Sequence, residues 1–166
     1  MSPIGWAVRP IRHYADFKGR SPRAEYWWFA LAVSILGFLF SLIDKAVGEP
    51  VVGIYGPIYL AWTLFLVMPG LAVVVRRLHD IGRTGWWAVL KAGSYAFILT
   101  GATSTGLAKI ESSLNALNPG LFGALLVAWL ACALVMLVFM VTSGMEGTNQ
   151  YGPDPHGPDE LEQVFA

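Results

Sequence analysis

Four stretches of this sequence are almost free of charge, and each is about as long as a membrane is thick. They run over 26–43, 51–75, 86–107 and 120–143, and Lys91 is the one charged side chain among them. A helix needs about 20 apolar residues to cross a hydrocarbon core about 30 Å thick. Backbone N–H and C=O groups find no water in that core, so a continuous apolar run must satisfy them within a helix. Such runs are too long and too uncharged for the core helices of a soluble domain. The sequence therefore predicts an all-α integral membrane protein with four transmembrane helices in a compact antiparallel bundle, joined by short connections. The spans fall at about 24–44, 51–75, 86–107 and 120–143. They lie within one transmembrane domain over 1–155, followed by an acidic cytoplasmic tail over 156–166.

Composition narrows the function classes. Charged residues make up 13% of the chain and hydrophobic ones 55%, against about 25% charged in a typical soluble protein. Eleven basic residues balance eleven acidic ones, so the chain lacks the basic surplus of a nucleic-acid binder. A single cysteine excludes a disulfide scaffold. The first apolar run lacks a small-residue cleavage site after it, so an uncleaved helix is expected.

Lysine and arginine set the orientation. Arg9, Arg12, Lys18, Arg20 and Arg23 precede the first span, and Arg76, Arg77 and Arg83 lie between the second and third. The other two connections carry only Lys45 and Lys109. The positive-inside rule then places both chain ends in the cytoplasm.

Further signals sit at the span ends. Ser21-Pro22 reads as helix N-cap and first helical residue. Trp27, Trp28, Trp86 and Trp87 fall at the cytoplasmic interface, where aromatic belts form. Lys91 is placed to snorkel back to the headgroups, and Pro69-Gly70 to kink the second span. Gly120, Ala124, Ala128 and Cys132 form a small-residue ridge, first for packing within the bundle and alternatively for a homo-oligomer. Ile11, Tyr14 and Phe17, beside Trp6, Arg9 and Arg12, suit a short interfacial helix, which Pro10 shortens.

Three cytoplasmic segments carry more polar detail than topology requires. They are Phe17-Lys18-Gly19-Arg20-Ser21-Pro22-Arg23-Ala24-Glu25-Tyr26-Trp27-Trp28, Arg76-Arg77-Leu78-His79-Asp80-Ile81-Gly82-Arg83-Thr84-Gly85-Trp86-Trp87, and Gly144-Met145-Glu146-Gly147-Thr148-Asn149-Gln150-Tyr151-Gly152-Pro153-Asp154-Pro155. On these motifs the chain resembles the bacterial inner-membrane family called domain of unknown function 805, the YhaH-like proteins, over roughly residues 14 to 155. The resemblance implies a membrane protein and brings no catalytic assignment.

Read physically, Arg76, His79, Asp80 and Arg83 share a helix face, and Arg76 can pair with Asp80 four residues on. Gly82 is expected to end that helix and Thr84 to cap the next. Glu25, His79, Asp80, Gly82, Gly85, Asn149, Tyr151 and Asp154 are then the structural residues of a cytoplasmic cap. The arginines admit two further readings. Arg20, Arg23, Arg76, Arg77 and Arg83 can converge as an anion site, with a phospholipid headgroup as ligand. Alternatively Glu25, Asp80, Glu146 and Asp154 neutralise them internally.

Catalysis finds little support. Cys132 has no base beside it, His79 and Asp80 are adjacent and so do not face each other on a helix, and His13, His79 and His156 are scattered, which suits no metal site. No cofactor is expected. The leading reading is a non-enzymatic membrane protein whose cap engages anionic lipid or a protein partner. A small transporter or channel subunit is the alternative, and an enzyme acting on a phosphate-bearing lipid comes third.

Overall fold

A computed structural model describes residues 1–48, 56–91 and 120–155, together with 108, 111–114, 116 and 118. Every regular element among them is helical. We number the helices α1 (Pro3–Arg12), α2 (Arg23–Val47), α3 (Pro57–Asp80) and α4 (Leu121–Val141), with a 3-10 turn at Gly85–Ala88. Three helices are long and apolar enough to cross a membrane: α2, α3 and the Gly123–Val141 stretch of α4. The expected span at 86–107 opens with the 3-10 turn and continues helically through 89–91. The remainder of it lies outside the described residues, as does the acidic tail from 156 onward.

The exposed surface explains itself only in hydrocarbon. On α4 the side chains of Leu130, Leu134 and Val138 are exposed, although this is the most apolar of the three long helices. A water-soluble fold would bury such a helix; a membrane helix can leave it facing lipid. Ala124 and Ala128 of the small-residue ridge are exposed as well. The buried core gathers where the helices meet at one end. Val74 and Leu78 of α3 pack with Ala88 and with Met136 and Met140 of α4. Phe29 of α2 packs with Leu66 and Val73 of α3, against which Ile11 rests.

Two helix boundaries differ from the sequence reading. Arg23, not Pro22, opens α2, and Pro22 rather than Ser21 occupies the N-cap position. Ser21 is fully buried and spends its N–H on the Arg76 carbonyl at 3.1 Å. Its extended backbone, imposed by the proline that follows, leads the chain across the end of α3. The second expected boundary, 51–75, shifts to Pro57–Asp80. Pro57 is favoured at the first helical position because it has no N–H to lose, and the helix then carries Arg76–Asp80 as its last turn.

The start of α3 is capped across the hairpin rather than locally. Asp44, near the end of α2, is buried and accepts from the N–H groups of Ile58 at 3.1 Å and Tyr59 at 2.8 Å. Its charge also meets the positive end of the α3 dipole. A side chain at Gly56 would collide with this carboxylate, so the glycine makes the close approach possible. Asp44→Ala is expected to cost about 1–2 kcal/mol, as the loss of an N-cap does. A lowered melting temperature of the detergent-solubilised protein checks this.

Inside α3, Pro69 leaves the carbonyl of Phe65, four residues earlier, without its helical donor. The hydroxyl of Tyr14 supplies one at 2.6 Å, and its ring lies 5.3 Å from that of Phe65. The segment after α1 thus repairs the break that the proline makes. Pro10 itself lies buried within α1, which runs to Arg12, so it does not shorten the helix. Tyr14→Phe keeps the ring and removes the donor. A loss of about 1 kcal/mol is expected, read by the same thermal measurement; an unchanged melting temperature would mean that the carbonyl needs no such donor.

Candidate functional site

The three polar motifs meet at one end of the core. The last turn of α3 supplies their centre. Asp80 is buried, and two guanidinium groups share its carboxylate. Arg20 approaches Oδ1 with Nε and Nη2, both at 3.0 Å. Arg77 takes Oδ2 from three residues earlier on the same helix. Both arginines are themselves buried, Arg77 completely. Other donors of the pair go to main-chain carbonyls that follow α4, while the buried Nε of Arg77 finds no partner among the described residues. Arg20 donates to Met145 and Gly147, and Arg77 donates to Thr142. The N–H of Met145 returns to the Asp80 carbonyl at 2.9 Å.

Arg76 does not pair with Asp80. It turns instead to Glu25 of α2, at 2.8 Å. Asp80 is already held by Arg20 and Arg77, and Glu25, 1% exposed, is a buried carboxylate that needs a cation of its own. Arg77 is one residue along and meets Asp80 without competing. Arg76 also donates to the carbonyls of Asp16 at 2.7 Å and His13 at 3.3 Å. Arg9 of α1 adds a second cation 3.6 Å from Glu25. A cavity of about 260 Å³ lies beside Arg9, Lys18, Arg20, Arg76, Glu25 and Asp154.

The third motif closes over the first two. The imidazole of His79 stacks on the Tyr151 ring, with centroids 3.9 Å apart and planes within 2°. Its Nδ1 faces the Gly19 carbonyl at 3.1 Å; a carbonyl only accepts, so Nδ1 carries a proton. Asn149 donates from Nδ2 to the His79 carbonyl at 2.9 Å, and its Oδ1 accepts from the N–H of Tyr151. Asp154 accepts from the N–H of Gly147 at 2.9 Å. Gly82 holds a φ of +71°, just past the end of α3. The N–H groups of Gly82 and Arg83 reach back to the carbonyls of His79 and Leu78, the paired bonds of a Schellman turn. A side chain at Gly85 would press on Val75 and approach the His79 ring. Thr84 stands at the cap position of the 3-10 turn, without a side-chain bond. Glu146 is exposed.

Arg23 and Arg83 are placed differently from the other three arginines. Both are exposed. Arg23 reaches the Val141 carbonyl at 3.3 Å, and the Arg83 guanidinium lies 5.6 Å from the centre of the Phe139 ring. Trp87 meets that same ring edge-on at 5.4 Å. Trp86 is 85% exposed, and Trp27 and Trp28 are exposed to lesser degrees. Lys91, at the start of the third expected span, donates to the Tyr26 hydroxyl at 3.2 Å. A second cavity, of about 670 Å³, runs between α2 and α3 from Lys91 to Lys45. Among the described residues, no three His, Cys, Asp or Glu side chains gather as a metal site would need.

Sequence reasoning missed Asp44, the Tyr14 hydroxyl, and Arg9 as a partner of Glu25. Each acts across a distance in sequence that no local spacing rule covers.

Known proteins point the same way as the architecture. The family model described as "Protein of unknown function (DUF805)" matches residues 14–153. The chain is 29% identical over 152 residues to the Escherichia coli K12 "Inner membrane protein YhaH", covering 92% of this chain and 97% of that one. It is 30% identical over 151 residues to "Inner membrane protein YhaI" of the same strain, covering 90% and 94%. A third relative, "Uncharacterized protein YiiR", is 30% identical over 149 residues. No solved structure matches. The matched region takes in all three polar motifs almost whole, and with them Arg20, Arg23, Arg76, Arg77 and Arg83: the chain belongs to the DUF805 family.

Proposed function

We propose that this is a non-enzymatic protein of the bacterial inner membrane, with both termini cytoplasmic, whose arginine cap engages anionic phospholipid. In this reading the segment 86–107 is a fourth span, and the four helices form an antiparallel bundle. The positive-inside bias of eight cytoplasmic Lys and Arg residues supports the orientation. One observation carries the lipid reading. Among the described residues, Arg20 and Arg77 share the one carboxylate of Asp80, Arg76 meets Glu25, and Arg23 and Arg83 are exposed. The cap therefore holds a surplus of positive charge at headgroup depth, and basic pockets at that depth recruit anionic lipid.

The test is lipid retention. Released from mixed-lipid nanodiscs into native mass spectrometry, the protein is expected to keep phosphatidylglycerol in preference to phosphatidylcholine. Equal retention of the two would overturn the reading.

A second reading, a small transporter or channel subunit, draws on the cavity of about 670 Å³ between α2 and α3. Ser34, Ser41 and Thr63 line it, and Lys45 and Lys91 line its ends. Polar and ionisable groups within spans commonly mark transport paths. Solute flux across proteoliposomes that disappears on Lys91→Met would favour it.

A further inference from the structure

The surplus charge of the cap does not say where a lipid would sit, but the hydrogen bonding does. An arginine has five N–H donors. Those of Arg20, Arg76 and Arg77 are largely committed: to Asp80 or Glu25, and to the carbonyls of His13, Asp16, Thr142, Met145 and Gly147. These side chains are also buried. An incoming phosphate could reach them only by displacing the bonds that hold the cap together. Arg23 and Arg83 are in the opposite situation. Among the described residues, Arg23 makes a single long bond to Val141, and Arg83 makes a cation–π contact with Phe139 and no ion pair.

These two residues approach the same last turn of α4 from different segments. Arg23 opens α2, and Arg83 follows the Schellman turn of α3. Phe139 and Val141, their contacts, are two residues apart. Trp87 also packs edge-on against Phe139, and Trp86 projects almost fully. Two exposed guanidinium forks beside exposed indoles have the make-up of a headgroup site. Guanidinium binds a phosphate oxygen pair in a bidentate way, and tryptophan settles at the boundary of headgroup and acyl chain.

Resting on the anionic-lipid reading above, we infer that Arg23 and Arg83 together clasp the phosphodiester of one anionic phospholipid of the cytoplasmic leaflet at the end of α4, while Arg20, Arg76 and Arg77 serve the fold. Arg23 lies close enough to Arg77 for their charges to repel, so a choline or ethanolamine cation there would add a positive charge to an already positive corner.

The experiment compares the full-length protein with R23Q/R83Q, R23K/R83K and, as a control, K45Q. Retention of phosphatidylglycerol against phosphatidylcholine is measured by native mass spectrometry, and melting temperature in detergent verifies the fold of each variant. R23Q/R83Q is expected to lose about tenfold or more of the preference with its melting temperature nearly unchanged. R23K/R83K should lose part of it, since lysine keeps the charge and lacks the fork; K45Q should lose none. If the wild type prefers phosphatidylglycerol and R23Q/R83Q prefers it equally, this assignment is wrong while the broader lipid reading stands. If the wild type shows no preference, both fall. Full retention by R23K/R83K would refute clasping by paired forks. Displacement of the lipid by millimolar inorganic phosphate or glycerol phosphate would show a soluble anion to be the ligand and overturn the lipid assignment. Should R23Q/R83Q melt early, the single variants R23Q and R83Q are expected each to show an intermediate loss; full preference in both would refute the site.

Discussion

Asp80→Asn destabilises the detergent-solubilised protein by about 3–5 kcal/mol, the usual cost of removing one partner from a buried ion pair. The substitution changes almost no volume, so packing stays the same and charge alone is altered. Arg20 and Arg77 are then left buried, side by side, with no carboxylate between them. Their bonds to the carbonyls of Thr142, Met145 and Gly147 survive, but carbonyl dipoles do not cancel two full charges in a poorly solvated place. The expected result is a melting temperature lowered by many degrees and a loss of monodispersity on gel filtration. A second variant tests the cause. Arg77→Met in the Asp80→Asn background removes one of the two stranded cations and is expected to recover part of the loss. If Asp80→Asn alone leaves the melting temperature unmoved, the shared carboxylate does not organise the cap.

Arg76→Met is the second large effect, again about 3–5 kcal/mol. It strands Glu25, whose remaining cation, Arg9, is farther away at 3.6 Å. It also strips donors from the carbonyls of His13 and Asp16. Those carbonyls belong to the segment that joins α1 to α2, so the variant should loosen α1 as well as lower stability. Limited trypsin digestion provides a specific readout. Cleavage at Arg12 and Lys18 is expected to become rapid in the variant and to stay slow in the wild type. Equal digestion would show that Arg76 does not fasten the N-terminal segment.

The membrane character of the fold is written in the lengths of its uncharged runs. α2 and α4 coincide with two of them to within a few residues, and α3 overlaps a third with its ends displaced by five or six, because only a helix closes its own hydrogen bonds without water. Gly82 as the stop of α3 was legible too, since few other residues accept a φ of +71°. What could not be read was partner choice within the cap. A spacing rule offers Arg76 to Asp80, and nothing local in the sequence reveals that Glu25, fifty-one positions away, takes Arg76 while Arg20 and Arg77 take Asp80. The same limit hid Asp44. A carboxylate at the end of one span reads as a loop charge until the hairpin folds and presents the first N–H groups of α3 to it. The five arginines were recognised as one group by composition. Their division into three committed side chains and two exposed ones depends on where the strand of carbonyls after α4 passes.

That strand of carbonyls has a bearing on biosynthesis. Thr142, Met145 and Gly147 leave the ribosome after every described helix has been made. Until they arrive, the side chains of Arg20 and Arg77 lack acceptors that the finished protein gives them. A nascent polypeptide halted at the end of α4 thus holds a complete set of described hydrophobic segments and an unfinished polar lock. The polar lock is completed by residues that follow α4, and a truncation there should be met by proteolysis rather than by a shortened but working product.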